Sequence, residues 1–388
     1  MEISSNRLTA LAIFVASTAS CAGSTDVTAP RDQGWRLEEV WRVGGEVEGP
    51  RSFDAIFDLT VTPSGHILHF DYKTALISEL DGNGSPVRQF GRHGAGPGEY
   101  NNSNGFEQSH DGRIVVNDRL NNRFVLFDSA GTATGEIPLP WKYTRPLRWD
   151  ATFLDDGRLV ERYAVPDDSG GWQDLTRIWS PSLDNSRILG IDSCTVSSST
   201  AGGHVLAPIL TPDGLPMPRQ YVPVPFSGAW TATAVDPRGF IWAQPAIGDS
   251  TIIRYALEGC VQDAMIQLST ATPRIPEAAI DSALTHARSA AALIGGRLQD
   301  DLEVPTHFPL FFTIHVDQSG NVWVGRFGAE GETVMEIHDS LGQLIGRIDP
   351  FPLNTRAPLI ITTDYVYGIL TDDDGIKYLA RFRIHRQS

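Results

Sequence analysis

The chain has 388 residues and carries 31 Lys plus Arg against 47 Asp plus Glu, a formal net charge of −16. That balance disfavours a nucleic-acid partner electrostatically, because phosphate recognition needs a cationic surface. Hydrophobic residues make up 41% of the chain, ample for a large core, and after the leader no run approaches the roughly 18 apolar residues of a membrane helix.

In chain order, Leu8 to Ala19 comes first, an apolar run too short to span a bilayer permanently, ending at Thr18-Ala19-Ser20-Cys21. A run of this kind is an export signal. Small residues followed by Cys resemble the lipobox of bacterial lipoproteins, with Thr18 where Leu is usual; the resemblance implies that Cys21 becomes a lipidated N-terminus. Residues 1–20 are therefore expected to be a lipoprotein signal peptide. Residues 21–34 read as an unstructured tether of Gly/Ser/Thr/Pro composition, and the folded part begins near Trp35. Ala22, if enteric sorting rules apply, implies the periplasmic side of the outer membrane.

Repeats organise the rest. Turns with glycine recur at "TPSGHILHF", "HDGRIVV", "DDGRLVE", "DPRGFIWA" and "DQSGNVWVG", each followed by a short apolar strand. Their glycines, Gly65, Gly112, Gly157, Gly239 and Gly320, are separated by 47, 45, 82 and 81 residues. The first two spacings set a period of about 46, and the last two equal one period plus an insertion. One insertion is a Ser/Gly/Pro-rich stretch from Ser193 to Gly228. The other, residues 276–298, predicts a helix: it opens Pro-Glu, sets Ile280, Leu284, Ala287 and Ala291 on one face, and stops at Gly295-Gly296. A sixth unit, "PLIITTDYVYGILTDDDGIKYLARFRI", supplies three strands, and the N-terminal "WRLEEVWRVG" is expected to join it as the outermost. This predicts an all-β, six-bladed β-propeller over residues 35–388, its ring closed by strand exchange, which removes open edges. Two stacked sandwiches do not explain such a period.

The stretch Phe90 to Asp128, with "FGRHGAGPGEY" leading into strand, turn and strand, resembles the NHL repeat. "VPVPFSGAWTATAVDPRGFIWA", "FPLFFTIHVDQSGNVWVGRF" and "YVYGILTDDDGIKYLARFRI" extend the resemblance to bacterial six-bladed propeller lipoproteins of NHL type. That resemblance implies architecture and export but no settled activity.

Aligning inner strands on their turn glycines places Asp58, Gly105, Asp150, Ala232 and Thr313 in one register with Thr60, Glu107, Thr152, Ala234 and His315 two residues on. The alternate register, including Leu59, Phe106, Ala151, Phe153 and Ile314, is mostly apolar and is expected between blades. Asp58, Glu107 and Asp150 then face the channel from consecutive blades as a candidate Ca²⁺ set, since hard cations take several oxygen ligands; solvated carboxylates are the plain alternative. Gluconolactonase-like propellers hold such an ion.

The loops that lead into the inner strands carry Arg92, His93, Glu99 and Tyr100, then Arg145, Arg148 and Trp149, then Trp230 and Phe311. They are expected to converge at one channel mouth, where Arg and aromatic side chains suit recognition; the aromatics serve equally well as plugs between blades. The glycines of "GRHGAGPGE" lack the Lys-Ser/Thr and helix of a phosphate loop, and neither a paired-His zinc helix nor a Gly-x-Ser-x-Gly elbow occurs. Cys194 and Cys260 leave a disulfide open in an oxidising compartment. The sequence thus points to a non-catalytic binding or scaffold propeller for a protein, peptide or glycan, touching the membrane only through its lipid. A calcium-dependent, lactonase-like hydrolase or lyase is the alternative.

Overall fold

The computed structural model describes residues 34–45, 49–53, 56–101, 103–139, 149–166, 172–188, 206–224, 226, 233–245, 248–300, 302–355 and 357–386. Six antiparallel four-stranded sheets follow one another along the chain. The first blade comprises Ile56–Val61, Ile67–Asp71, Leu76–Leu80 and Pro86–Phe90; the second, Phe106–Gln108, Ile114–Asp118, Arg123–Phe127 and Ala133–Pro138. The third comprises Asp150–Phe153, Leu159–Pro166, Trp172–Trp179 and Ser186–Ile188; the fourth, Thr233–Asp236, Phe240–Ala243, Thr251–Ala256 and Gln262–Gln267. The fifth runs Thr313–Val316, Val322–Phe327, Thr333–His338 and Leu344–Ile348. The sixth has Leu359–Ile361, Tyr365–Thr371 and Lys377–His385, with Arg36–Gly44 as its outermost strand. The protein is a six-bladed propeller. The first blade's inner strand neighbours those of the second and the sixth, so the ring closes where the chain's two ends meet.

Closure is an extended antiparallel pairing from Arg36 opposite His385 to Gly44 opposite Tyr378, shifted once between Glu39 and Trp41. It gives the sixth blade the ladder partner that its own sequence lacks and covers an edge that would otherwise template aggregation.

Strand alternation explains the packing. Side chains on one face of a blade pack against the preceding blade and those on the other face against the following one. Each of the six seams accordingly has its own apolar cluster. Leu59 and Ile67 meet Tyr367 and Leu379 between the sixth and first blades, and Leu68 and Phe70 meet Phe106 and Val116 in the next seam. Val115 and Phe124 meet Trp149 and Leu159; Val160 and Ile178 meet Ile241 and Leu257. Trp242 and Ile252 meet Ile314 and Val322, and Trp323 and Met335 meet Val366 and Phe382. Each fully buried large side chain contributes roughly 1.5 to 3 kcal/mol, and stability is therefore spread around the ring.

The second insertion forms a helix, α1, at Glu277–Leu293, inside the predicted span. The first insertion contains a hairpin, Leu206–Leu210 with Pro216–Pro223, that its Ser/Gly/Pro-rich composition did not announce. The two insertions form one module. Ala287 and Ala291 of α1 pack with Ala207, Ile209 and Val224 of the hairpin, and Leu210 and Arg297 exchange backbone hydrogen bonds of 2.8 Å in both directions. A two-strand neck joins α1's insertion to the ring, where Ile275 N–H donates to Thr306 O at 2.9 Å and Phe308 N–H to Pro273 O at 3.0 Å.

Candidate functional site

Antiparallel connectivity puts the loops that lead into the inner strands on the same side as the turns between second and third strands. This is the mouth face; the remaining turns lie on the opposite face. The opposite face is stitched blade to blade. Arg88 donates to Ser129 O at 2.6 Å, Arg113 to Pro181 O at 2.7 Å, and Arg381 to Gly82 O at 2.9 Å. Arg158 and Arg187 share the Glu258 carboxylate, and Arg238 reaches Ser319 O and Gly320 O.

On the mouth face, the glycine-rich loop of the second blade is tied down at many points. Gly91 has φ +82 and leaves no room for a Cβ, which would come within 2.1 Å of the Tyr100 hydroxyl, so the hydroxyl end of Tyr100 sits directly against it. Glu99 accepts from Gly96 N–H at 2.8 Å and from Arg92 at 2.7 Å, contacts that hold its carboxyl below the ordinary range, the Gly96 hydrogen bond more than the Arg92 charge. Arg123, only 13% exposed at its side chain, pairs with the fully buried Asp118 at 2.8 Å and donates to Glu99 O at 3.0 Å. Asp118 also accepts from Asn101 N–H and from the Asn121 amide, both at 2.8 Å. Asn121 reaches Gly94 O as well, and Leu120 N–H donates to Asn101 O. The loop at residues 91–101 and the turn at 118–122 thus make one braced platform, from which Arg92 and His93 project into solvent.

The predicted site residues fall into three groups. Arg92, His93 and Glu99 lie together on that platform. Tyr100, Trp149 and Phe311 are buried, with 0%, 3% and 2% of their surface exposed, and they fill seams instead of lining the mouth. Tyr100 packs against Phe70 and Phe127, Trp149 against Phe124, and Phe311 within the seam of the fourth and fifth blades. Arg145, Arg148 and Trp230 lie outside the described residues, as do Cys21 and Cys194. Cys260 is disulfide-bonded.

The candidate calcium ligands do not gather. Asp58 is 1% exposed, and its carboxylate accepts from Leu59 N–H at 2.9 Å and from Phe106 N–H of the next blade at 3.1 Å. Gly105 permits this approach, since a Cβ there would meet the Asp58 carboxylate at 2.8 Å. Asp150 is exposed and pairs with Arg162 at 3.2 Å, and Glu107 is half-buried. Among the described residues no group of three or more His, Cys, Asp or Glu side chains is placed to hold a metal ion. His315 meets Thr313 on its own strand at 3.0 Å.

Several key residues escaped the sequence reading. Glu161, fully buried, accepts from the indole N–H groups of Trp149 and Trp179, both at 2.9 Å. Arg119, half-buried at the platform's edge, has its Nε buried without an acceptor, and the Asn117 amide is buried with neither oxygen nor nitrogen engaged. Aligning second strands with one another would have exposed the Asp-Tyr and Asp-Arg pairs, Asp71-Tyr72 and Asp118-Arg119, at equivalent turns.

No family model matches the chain, and no curated protein does. Among solved structures, a member of the duf4221 family from Bacteroides vulgatus is similar at TM-score 0.51 and 10% identity, over 92% of this chain and 100% of that one. An exported protein from Bacteroides fragilis is similar at TM-score 0.50 and 14% identity, over 93% and 98%. At such identities the likeness is one of fold: a complete propeller matched end to end.

Proposed function

We propose that this chain is a non-catalytic binding propeller of NHL-repeat type, exported and tethered by a lipid on Cys21, that recognises a protein, peptide or glycan on its mouth face. One observation carries the reading: the glycine-rich platform of the second blade is braced from below by Asp118 and Arg123 and presents the Arg92–Glu99 pair and His93 outward. A rigid, pre-organised loop surface binds at lower entropic cost than a mobile one. The channel carboxylates support the same reading, because Asp58 is engaged by two backbone N–H groups and Asp150 by Arg162.

The test is affinity capture from native membranes with the full mature chain, run beside a lactone-turnover assay and calcium titration of thermal unfolding. Enrichment of a partner, with no turnover and no calcium shift, supports a binding module. Turnover together with a calcium-dependent melting shift replaces it with a lactonase-like enzyme. Metabolic labelling with a radioactive fatty acid tests the anchor: label is expected on the wild type and absent from Cys21→Ala.

A further inference from the structure

Asn117 and Arg119 stand two residues apart where the second strand of the second blade runs out into its mouth-face turn. Asn117 shares its strand face with Val115, which packs in the seam with the third blade, and Arg119 opens the turn just past the strand's end at Asp118. Asn117 is fully buried, at 0% exposure, yet both its amide oxygen and its amide nitrogen lack a partner, and so does the buried Nε of Arg119. An unsatisfied buried polar group costs about 1 to 3 kcal/mol, and no contact among the described residues accounts for two such side chains at the end of one strand. Their neighbours are fully engaged: Asp118 between them binds Asn101, Asn121 and Arg123.

Deepening the binding reading above, on which it rests, we infer that Arg119, together with Asn117, is a carboxylate-recognition site, and that its ligand is an acidic peptide carrying an apolar side chain beside the carboxylate. A guanidinium offers a planar two-donor fork that matches a carboxylate, and the buried Asn117 amide holds a further unpaired donor two residues away. The peptide is favoured over an anionic sugar by the adjoining residue: Leu120 is 54% exposed on the same turn, an aliphatic surface that complements a peptide side chain and offers no ring for a sugar face to stack on.

The experiment is fluorescence polarisation on the full mature chain with three probes: a short peptide alternating Glu and Leu, the same peptide with Gln for Glu, and a uronate tetrasaccharide. The Glu-Leu peptide is expected to bind, the Gln-Leu peptide to bind at least about tenfold more weakly, and the uronate more weakly still. Arg119→Gln is expected to lose about tenfold in affinity, Arg119→Lys to recover part of it, and Asn117→Asp to weaken binding by repulsion. Arg119→Gln should melt within about 2 °C of wild type, since the side chain has no hydrogen bond or ion pair among the described residues for the substitution to remove. Equal affinity of wild type and Arg119→Gln, preference for the uronate, or no binding of any probe overturns the site. In those cases a partner captured by the wild-type chain leaves the binding module standing, whereas lactone turnover removes that reading independently.

Discussion

Removing the carboxylate of Glu161 would strand the indole N–H groups of Trp149 and Trp179 in a dry seam. Glu161→Ala is therefore expected to destabilise the protein by about 3 to 5 kcal/mol, and Glu161→Gln, which keeps an acceptor oxygen, by less. Urea unfolding followed by tryptophan fluorescence reads both. His69 makes a second prediction at this scale. It is 1% exposed, hydrogen-bonded through Nε2 to Pro50 O at 2.8 Å and tilted against Phe53 with the ring centres 5.1 Å apart. Burial pushes its imidazole from the ordinary 6.5 down to about 4. The folded state thus binds its proton less readily than the unfolded chain does, so its contribution is complete above pH 6.5 and is lost as pH falls from 6.5 towards 4. The loss is at most about 3 kcal/mol over that range. His69→Gln is expected to flatten this limb of the stability profile in denaturant titrations, and an unchanged slope would assign the pH dependence to other groups.

At the scale of elements, the strand Arg36–Gly44 holds the sixth blade closed. A chain beginning at residue 45 leaves Lys377–His385 as an exposed edge, and it is expected to aggregate or to melt well below the intact protein in differential scanning calorimetry. The inserted module behaves differently, because its core of Ala287, Ala291, Ala207 and Ile209 is its own. Ala291→Asp should open the module to limited proteolysis around α1 while leaving the main melting transition nearly in place; loss of both together would make the module part of the ring's cooperative unit. The sequence foretold α1 because an Ala-rich apolar stripe bounded by Pro and Gly-Gly is a local signal. It concealed the hairpin of 206–223, because Leu206–Leu210 is apolar throughout and interrupted by Pro208, so that only packing against α1 distinguishes the buried Ala207 and Ile209.

For the whole molecule, ring order, blade count and closure were legible because a period of about 46 residues and strand alternation are properties of the chain itself. The mouth was legible only in part. Arg92, His93 and Glu99 announced themselves in a glycine-rich loop, but Tyr100, Trp149 and Phe311 are residue types that serve seams and ligands equally well, and only their burial separates the two roles. Nor does any sequence feature reveal that the Asp58 carboxylate accepts from two backbone N–H groups, since the donors belong to the next blade as well as its own strand. We propose that the mouth face of the second blade is where this protein meets its partner. Hydrogen–deuterium exchange with and without the captured partner tests it most directly. Protection is expected at residues 91–101 and 118–122, with turns 62–66, 109–113 and 128–132 of the opposite face unchanged; protection confined to those opposite-face turns would place the partner on the other side of the ring.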